Sequence, residues 1–250
     1  PTQNKIIKHF QTHFYPCSAT SIQQDAGKWN DIVRCFQSKP QKEVDLVLLG
    51  DSHAEHLFIS FAEQLPEKNI AYYIRNQPAF IGNKEFFAIY EHLLSSKSIK
   101  TVILTMQWIK KQKQLPAGSS LDQELLETVQ ELLRSGKEVY ITDDVPEFPF
   151  DSMKCKLQRA NFSSRQCEMD RSNFDKVTAE YWGAIDHVLR VEPRLKLIEI
   201  SKFFCADRQC RMSQGRDVLY RDRHHLNIIG SKYLGDKISP SIQPLRDIHD

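Results

Sequence analysis

The chain has 250 residues, of which 40% are apolar and 26% are charged, and its formal net charge is only +2. This composition is typical of a globular protein, and no apolar stretch approaches the roughly 18 residues needed to cross a membrane. The intermixed acidic and basic residues give no support to nucleic-acid binding. The short basic run Lys110–Lys113 therefore predicts a solvated loop rather than a binding patch.

Residues 1–43 show no sustained hydrophobic period and contain Pro16, Gly27 and Pro40. We expect this segment to be an extension or linker and the folded domain to occupy residues 44–250. Because nothing resembling an export signal lies at the start, we also expect the chain to be part of a longer protein.

From Val44 onward, apolar runs alternate with segments of helical period. The run Val44–Leu49 predicts a buried parallel strand. The apolar residues that recur between Ala54 and Leu65 predict an amphipathic helix ending before Pro66. The next predicted elements are a strand over Ile70–Ile74, a helix around Phe87–Leu94 and a strand over Thr101–Met106.

The same alternation continues in the second half of the chain. Apolar residues between Leu121 and Leu133 predict a helix, and Gly136 stands where a helix C-terminus favours glycine. The remaining predicted elements are a strand over Glu138–Thr142, an irregular stretch over Asp143–Arg171, a helix over Phe174–Val188, a fifth strand over Leu195–Ile200 and a last helix over Asn227–Ile238. Strands that alternate with helices predict a three-layer α/β/α sandwich with a parallel sheet of about five strands.

The six cysteines fall as three close pairs along the chain. They are Cys17 and Cys35, Cys155 and Cys167, and Cys205 and Cys210. Sequential pairing is the simplest of the possible connectivities, although sequence alone does not choose among them. A zinc site is the weaker alternative, because no C-x2-C spacing occurs. We therefore expect three disulfides and an oxidising compartment.

The first predicted strand ends in Gly50-Asp51-Ser52-His53, and a helix begins at once. In a parallel sheet, functional groups gather where strands end and helices begin. A serine at this turn presents its hydroxyl, and its backbone N–H lies at a helix N-terminus, which favours negative charge. Ser52 is therefore a candidate nucleophile whose own amide would help to hold an oxyanion. The alternative is that Ser52 is an ordinary helix N-cap.

A second polar group, Asp222-Arg223-His224-His225, directly precedes the last predicted helix. An aspartate three residues before a histidine can accept the imidazole Nδ1–H while Nε2 points toward a serine. His225 has this separation from Asp222 and is the candidate base. His224 is expected to be exposed or to face substrate. A loop Asp–His pair without a partner is the alternative.

Together these groups resemble the SGNH/GDSL hydrolase superfamily, which has G-D-S after its first strand and D-x-x-H-L near its end. They are more similar still to the extracytoplasmic SGNH domain that follows the membrane domain of acyltransferase family 3 proteins. Leu48–Ala54 matches the L-x-G-D-S-H-A of those domains. The small loop Cys205–Cys210, the aromatic Tyr220 and an upstream cysteine pair are also similar. The resemblance covers nearly the whole chain.

The resemblance implies a flavodoxin-like SGNH fold in which Ser52 is the nucleophile, His225 the base and Asp222 the acid that orients it. It implies neither a metal nor another cofactor. We accordingly interpret Asp143-Asp144, which resembles a metal-binding pair, as the polar end of the fourth strand at an edge where it could contact substrate.

The middle motifs depart from the superfamily, in which a glycine and an asparagine usually donate to the oxyanion. Gln107 stands where the asparagine belongs. Its side chain carries the same amide donor on a longer arm, so we expect Gln107 to assist the Ser52 amide. Neither Asn76 nor Gly82 can be placed in the oxyanion hole from the sequence.

The resemblance also implies a periplasmic domain of an inner-membrane protein. A fused membrane acyltransferase domain would supply an acyl group, expected to be acetyl. This domain would place it on a hydroxyl of an envelope glycan such as the lipopolysaccharide O-antigen. The isolated fragment is expected to be a monomer that binds no nucleic acid. The alternatives are a secreted carbohydrate acetyl esterase and a non-catalytic carbohydrate-binding domain, and the intact Ser52, Asp222 and His225 argue against the second.

Overall fold

A computed structural model of the protein describes residues 2–159 and 167–246. The helices are α1 (Thr2–His13), α2 (Thr20–Asp25), α3 (Ser52–Gln64), α4 (Phe87–Ser95), α5 (Trp108–Lys111), α6 (Leu121–Arg134), α7 (Ser152–Arg159), α8 (Arg171–Val191) and α9 (Ile228–Ile238). The strands are β1 (Tyr15–Pro16), β2 (Lys28–Trp29), β3 (Ile32–Val33), β4 (Phe36–Gln37), β5 (Leu46–Gly50), β6 (Ile70–Ile74), β7 (Thr101–Thr105), β8 (Glu138–Thr142), β9 (Glu168–Asp170), β10 (Lys196–Ile198), β11 (Gln209–Arg211), β12 (Ser213–Gln214) and β13 (Asp217–Val218).

The main sheet has the strand order β1-β4-β6-β5-β7-β8-β10. The strands β6, β5, β7, β8 and β10 are parallel, and they are the five strands expected from the sequence. The bounds of β6 and β8 are those predicted, and the other three strands are shorter than predicted by one to three residues. The α/β fold with a parallel sheet is thus confirmed, and two antiparallel strands, β4 and β1, extend it to seven.

Helices cover both faces of the sheet. Leu46 and Leu48 of β5 pack into a core with α1, α3 and α9, whereas Val47 and Leu49 pack into a second core with α4, α6 and α8. Burial on both sides explains why this strand is a continuous apolar run. Over the ranges described, no helix has both the length and the apolar character needed to cross a bilayer.

The amino-terminal segment, expected from the sequence as an extension, is built into this sheet and core. Ile6, Ile7 and Phe10 of α1 are buried. The ring of Phe10 lies 5.6 Å from that of Phe58 and 5.8 Å from that of Tyr72, measured between centroids. β1 and β4 then add to the edge of β6. The apolar stripe of α1 covers about two turns, which is too short to appear in the sequence as a sustained period.

Three disulfides are present with the expected connectivity, Cys17–Cys35, Cys155–Cys167 and Cys205–Cys210. The first encloses α2, β2 and β3. The second joins α7 to the residue before β9, and the residues 160–166 between them, part of the irregular stretch expected from the sequence, lie outside the described residues. The third closes a tight loop before β12, and β11 pairs with β9.

Candidate active site

The turn that carries Ser52 depends on a close approach between β5 and β7. A Cβ added to Gly50 would lie 1.7 Å from the carbonyl oxygen of Thr105, so only glycine fits here. Asp51 is the N-cap of α3, because its side chain accepts the backbone N–H of His53 at 2.8 Å. Ser52 is therefore the first residue of the helix and not its cap. Its N–H belongs to the first turn, whose N–H groups have no intrahelical acceptor.

Asp51 also ties this turn to the end of β7. Its carboxylate accepts the backbone N–H of Gln107 at 3.2 Å, and its Oδ2 lies 3.4 Å from Nζ of Lys111. Lys111 is only 1% exposed, and its Nζ also donates to the carbonyl oxygen of Asn76 at 2.9 Å. Burial lowers the pKa of Lys111, and the Asp51 carboxylate opposes that shift. The prediction of a solvated loop at Lys110–Lys113 was therefore wrong for Lys111, whose charge helps to hold the turn.

A continuous hydrogen-bond chain joins Ser52, His225 and Asp222. Oγ of Ser52 lies 2.8 Å from Nε2 of His225, and Nδ1 of His225 lies 2.8 Å from Oδ2 of Asp222. Because a carboxylate only accepts, Nδ1 carries the proton and Nε2 can accept the serine hydroxyl. The other Asp222 oxygen accepts the backbone N–H groups of His224 and His225. The structure thus brings together the three residues singled out in the sequence.

Neighbouring backbone contacts fix the loop that carries His225. The N–H of Arg221 donates to the carbonyl oxygen of His225 at 2.9 Å. Asn227 caps α9 by accepting the N–H of Gly230 at 2.9 Å. A Cβ on Gly230 would lie 2.0 Å from the carbonyl oxygen of Leu219, so the start of α9 is packed directly on the strand-like segment before the loop.

The electrostatic surroundings favour a neutral His225 beside an ionised Asp222. Burial lowers the pKa of His225 to about 3, although the hydrogen bond to Asp222 acts in the opposite direction. Burial of Asp222 would raise its pKa, but the hydrogen bonds from His225 and from the backbone hold the pKa of this carboxyl below its ordinary value. A neutral imidazole with an oriented lone pair is the form that can accept a proton from Ser52.

A second hydrogen-bond chain runs beside the first. The buried His53, the residue after Ser52, places Nδ1 2.6 Å from Oδ1 of Asp144 and Nε2 3.0 Å from Nδ1 of His224. Burial opposes protonation of His53, but the Asp144 carboxylate raises the pKa of His53 above its ordinary value. Asp144 is thus an internal partner of a histidine, and the contact with substrate suggested for it is replaced by this ion pair.

Asp143 has a different role from its neighbour. It is fully buried and accepts the backbone N–H groups of Ile200 and Ser201. Burial raises the pKa of Asp143 to about 7, and the hydrogen bonds oppose this shift. Its side chain therefore links the end of β8 to the segment after β10 and does not line an open edge.

Within the described residues, His53, His224 and His225 are the group whose geometry comes closest to a metal site. One ring nitrogen from each lies within 4.8 Å of the others. These imidazoles already have hydrogen-bond partners, since His53 meets His224 and His225 meets Ser52. The three rings therefore belong to two neighbouring hydrogen-bond chains.

Gln107 follows β7 at the expected edge of the sheet. Its backbone N–H binds Asp51, and its side-chain Nε2 donates to Oε2 of Glu147 at 3.1 Å. Oε1 of Glu147 lies 3.7 Å from the guanidinium of Arg223. One of the two side-chain N–H groups of Gln107 is thus bound to Glu147. That the second N–H donates to an oxyanion stays a prediction.

A family model described as the SGNH domain (fused to AT3 domains) matches residues 16–240. The chain belongs to this family. A search of the curated proteins finds no match for this SGNH domain.

Solved structures give more distant similarities to the SGNH domain. The periplasmic domain of a Salmonella ser. Paratyphi A lipopolysaccharide acetyltransferase is 16% identical, with a TM-score of 0.61, and the match covers 80% of this chain and 84% of that one. The C-terminal catalytic domain of Streptococcus pneumoniae peptidoglycan O-acetyltransferase A is 13% identical, with a TM-score of 0.41 over 82% and 96% of the two chains. A GDSL-like lipase from Bacteroides thetaiotaomicron is 10% identical, with a TM-score of 0.46, and the match covers 96% of this chain and 98% of that one. Only the first is similar enough to show a shared fold.

A buried ion network behind the site was not foreseen from the sequence of this SGNH domain. Glu55 of α3 is fully buried, and its carboxylate accepts hydrogen bonds from Nε and Nη2 of Arg34, each at 2.8 Å. A guanidinium nitrogen of Arg221 lies 4.0 Å from the same carboxylate. Arg34 comes from the amino-terminal disulfide loop and Arg221 directly precedes Asp222, so Glu55 connects that loop to the loop of the hydrogen-bond chain.

The second hydrogen-bond chain was also missed. His53 stands next to Ser52 in the G-D-S-H motif, which was the available signal. Its partners Asp144 and His224 are 91 and 171 residues away in the sequence. No local spacing could therefore have joined these three residues.

Proposed function

We propose that this SGNH domain transfers an acyl group, taken to be acetyl, through an acyl-Ser52 to a sugar hydroxyl of a cell-envelope glycan such as the lipopolysaccharide O-antigen. The observation that carries the proposal is the unbroken hydrogen-bond chain from Ser52 through His225 to Asp222. Membership of a family described as fused to AT3 domains supports acyl transfer. The similar Salmonella domain comes from a lipopolysaccharide acetyltransferase, which suggests the class of acceptor.

In the proposed first step, Nε2 of His225 takes the proton of Ser52 while Oγ attacks the acyl carbonyl. The Ser52 N–H, at the start of α3, stabilises the negative oxygen of the tetrahedral intermediate. His225 then gives the proton to the leaving group, and the acyl-serine remains. Asp222 keeps the imidazole in the required tautomer and stabilises its protonated form.

In the second step, His225 accepts the proton of the incoming hydroxyl as this attacks the acyl-serine. The same proton passes to Oγ of Ser52 when the ester bond breaks, so the enzyme is regenerated. A sugar hydroxyl gives transfer and water gives hydrolysis. The two outcomes share the acyl-enzyme and differ in which acceptor the site holds.

The proposed setting is the periplasm, where a fused membrane acyltransferase domain would deliver the acyl group to Ser52. Three disulfides in the described residues suit an oxidising compartment. The proposal uses side chains and backbone of this chain alone, and it places the domain in the reaction as a monomer.

The nucleophile is tested by Ser52→Ala, with acetate release from 4-methylumbelliferyl acetate as the assay. Loss of the attacking oxygen should reduce the rate by on the order of a thousandfold or more. The fold should persist, because Asp51 and not Ser52 caps α3. Ser95→Ala, which alters an exposed helical serine, is the matched control and should keep full activity. Mass spectrometry of the parent protein should find the acetyl group on the peptide that contains Ser52, and activity of Ser52→Ala within a few-fold of the parent would refute the proposal.

Transfer and deacetylation are distinguished in cells by the O-acetyl content of the envelope glycan, measured by NMR. Three strains are compared, carrying the full-length natural protein, the same protein with Ser52→Ala, or the exported 250-residue chain. A transferase should acetylate only in the first strain. Higher acetylation with Ser52→Ala than with the parent, or a fall caused by the exported chain, would instead identify a carbohydrate acetyl esterase.

A further inference from the structure

The chain from Asp144 through His53 to His224 is not used in the mechanism above. Its first two members are buried, at 4% and 0% exposure, so their hydrogen bond of 2.6 Å is shielded from solvent. A buried carboxylate and imidazole are costly to desolvate unless they are paired. The protein thus maintains a polar chain through His53, the residue that follows the nucleophile.

The outer end of this chain is accessible. His224 is partly exposed, and within the described residues its hydrogen bond to another side chain is made by Nδ1, which leaves Nε2 open. The ring of His224 lies 4.0 Å from the ring of His225, measured between centroids. The open nitrogen therefore belongs to a ring packed against the base that faces Ser52.

We propose that Nε2 of His224 binds a hydroxyl of the acceptor sugar beside the hydroxyl that attacks the acyl-serine. The proposal rests on the function proposed above and names the residue that would favour a sugar over water. His53 and Asp144 do not touch the sugar in this arrangement. They are positioning residues that fix the orientation of the His224 ring.

A hydroxyl suits this position for a chemical reason. Nδ1 of His53 donates to Asp144, so one proton is shared between Nε2 of His53 and Nδ1 of His224. When His53 is neutral, His224 holds that proton on Nδ1 and its Nε2 offers a lone pair. When His53 takes up a further proton from solvent and forms the ion pair with Asp144, its Nε2–H donates to Nδ1 of His224, and the neutral His224 then carries its own proton on Nε2 and donates. A sugar hydroxyl both donates and accepts, so it satisfies either state.

The test measures how the acyl-enzyme divides between acceptors. The 250-residue chain is acetylated with 4-methylumbelliferyl acetate in the presence of methyl α-D-galactopyranoside or of methanol. The ratio of acetylated acceptor to free acetate is then determined. Because both products come from the same acyl-enzyme, this ratio does not depend on how fast Ser52 is acetylated. The parent should favour the glycoside over methanol, since methanol has no second hydroxyl for His224.

His224→Ala should lower the glycoside ratio about tenfold, the effect of losing one hydrogen bond. The methanol ratio should change much less. Asp144→Asn should lower the glycoside ratio by a smaller factor, because the ring remains but is less firmly oriented. The matched control is His187→Ala, which removes another histidine bound to an aspartate, with 2.9 Å between Nδ1 and the Asp122 carboxylate, and should leave both ratios unchanged. If His224→Ala does not fold, as judged by circular dichroism, His224→Phe, which keeps an aromatic ring but has no ring nitrogen, takes its place.

Equal ratios for the two acceptors in the parent, or a parallel fall in both ratios with His224→Ala, would overturn the proposal. Neither result bears on Ser52, whose role is judged by acetate release from Ser52→Ala. If Ser52→Ala abolishes acetate release but the parent shows no preference for the glycoside, the proposed chemistry of Ser52 stands and only the role of His224 is refuted.

Discussion

The buried ion pair between Arg34 and Glu55 joins the amino-terminal disulfide loop to α3. Arg34→Ala removes two hydrogen bonds of 2.8 Å from a carboxylate whose side chain is wholly buried. Arg221 remains at 4.0 Å from that carboxylate and compensates only in part. We expect Arg34→Ala to lower the free energy of unfolding substantially.

The expected magnitude follows from the burial of the pair. Removing one partner of a buried ion pair costs about 3–5 kcal/mol, because the other charge is left without compensation. The Arg34 side chain is 22% exposed and Arg221 is close, so the lower end, about 3 kcal/mol, applies here. Glu55→Gln combined with Arg34→Ala should cost less than the sum of the two single changes, because position 55 then carries no charge that Arg34 would have to balance.

Urea unfolding followed by fluorescence measures these free energies at neutral pH. Arg190→Ala is the control, since its partner Asp186 lies on the same helix and both side chains are more than half exposed. That change should cost less than about 0.5 kcal/mol. If Arg34→Ala costs no more than Arg190→Ala, or if the double change is fully additive, the buried pair does not stabilise the fold as argued.

Further predictions concern pH, packing and disulfides. Since burial lowers the pKa of His225 to about 3, this base should stay neutral well below pH 6.5. The acidic limb of the pH profile of kcat/KM for ester hydrolysis should therefore lie below pH 6.5. An inflection at or above pH 6.5 would contradict the prediction. Gly50→Ala should prevent stable folding, because its Cβ would lie 1.7 Å from a carbonyl oxygen, whereas Gly27→Ala, with nothing within 4 Å, should leave the thermal midpoint nearly unchanged. Replacing Cys17 and Cys35 with serine should lower the free energy of unfolding by about 3 kcal/mol, because the disulfide closes a loop with a sequence separation of 18. A denaturant titration measures this, and an unchanged free energy of unfolding would contradict the prediction.

Local patterns were enough to predict the five parallel strands of the sheet and the first hydrogen-bond chain. Leu46–Leu49 is buried on both faces, which leaves a clear apolar run in the sequence. Asp222 and His225 are separated by three residues, so their contact is encoded locally, and Ser52 stands at the strand end where such a pair would be used.

Contacts made only by the tertiary fold could not be predicted in this way. Lys111 appeared as one charge in a basic run, and its burial depends on Asp51 from a different strand end. Arg34 lay in a segment without a period, and nothing near it in sequence indicates that it reaches Glu55. A domain boundary drawn at residue 44 would therefore have removed the main partner of a buried carboxylate.

The edge strand β1 also has a consequence for association between molecules. It is two residues long, and one of them, Pro16, has no N–H to offer a further strand. A polypeptide approaching this side therefore finds almost no backbone donors with which to continue the sheet. A short edge strand that carries a proline therefore disfavours the addition of a strand from a neighbouring chain on this side of the sheet.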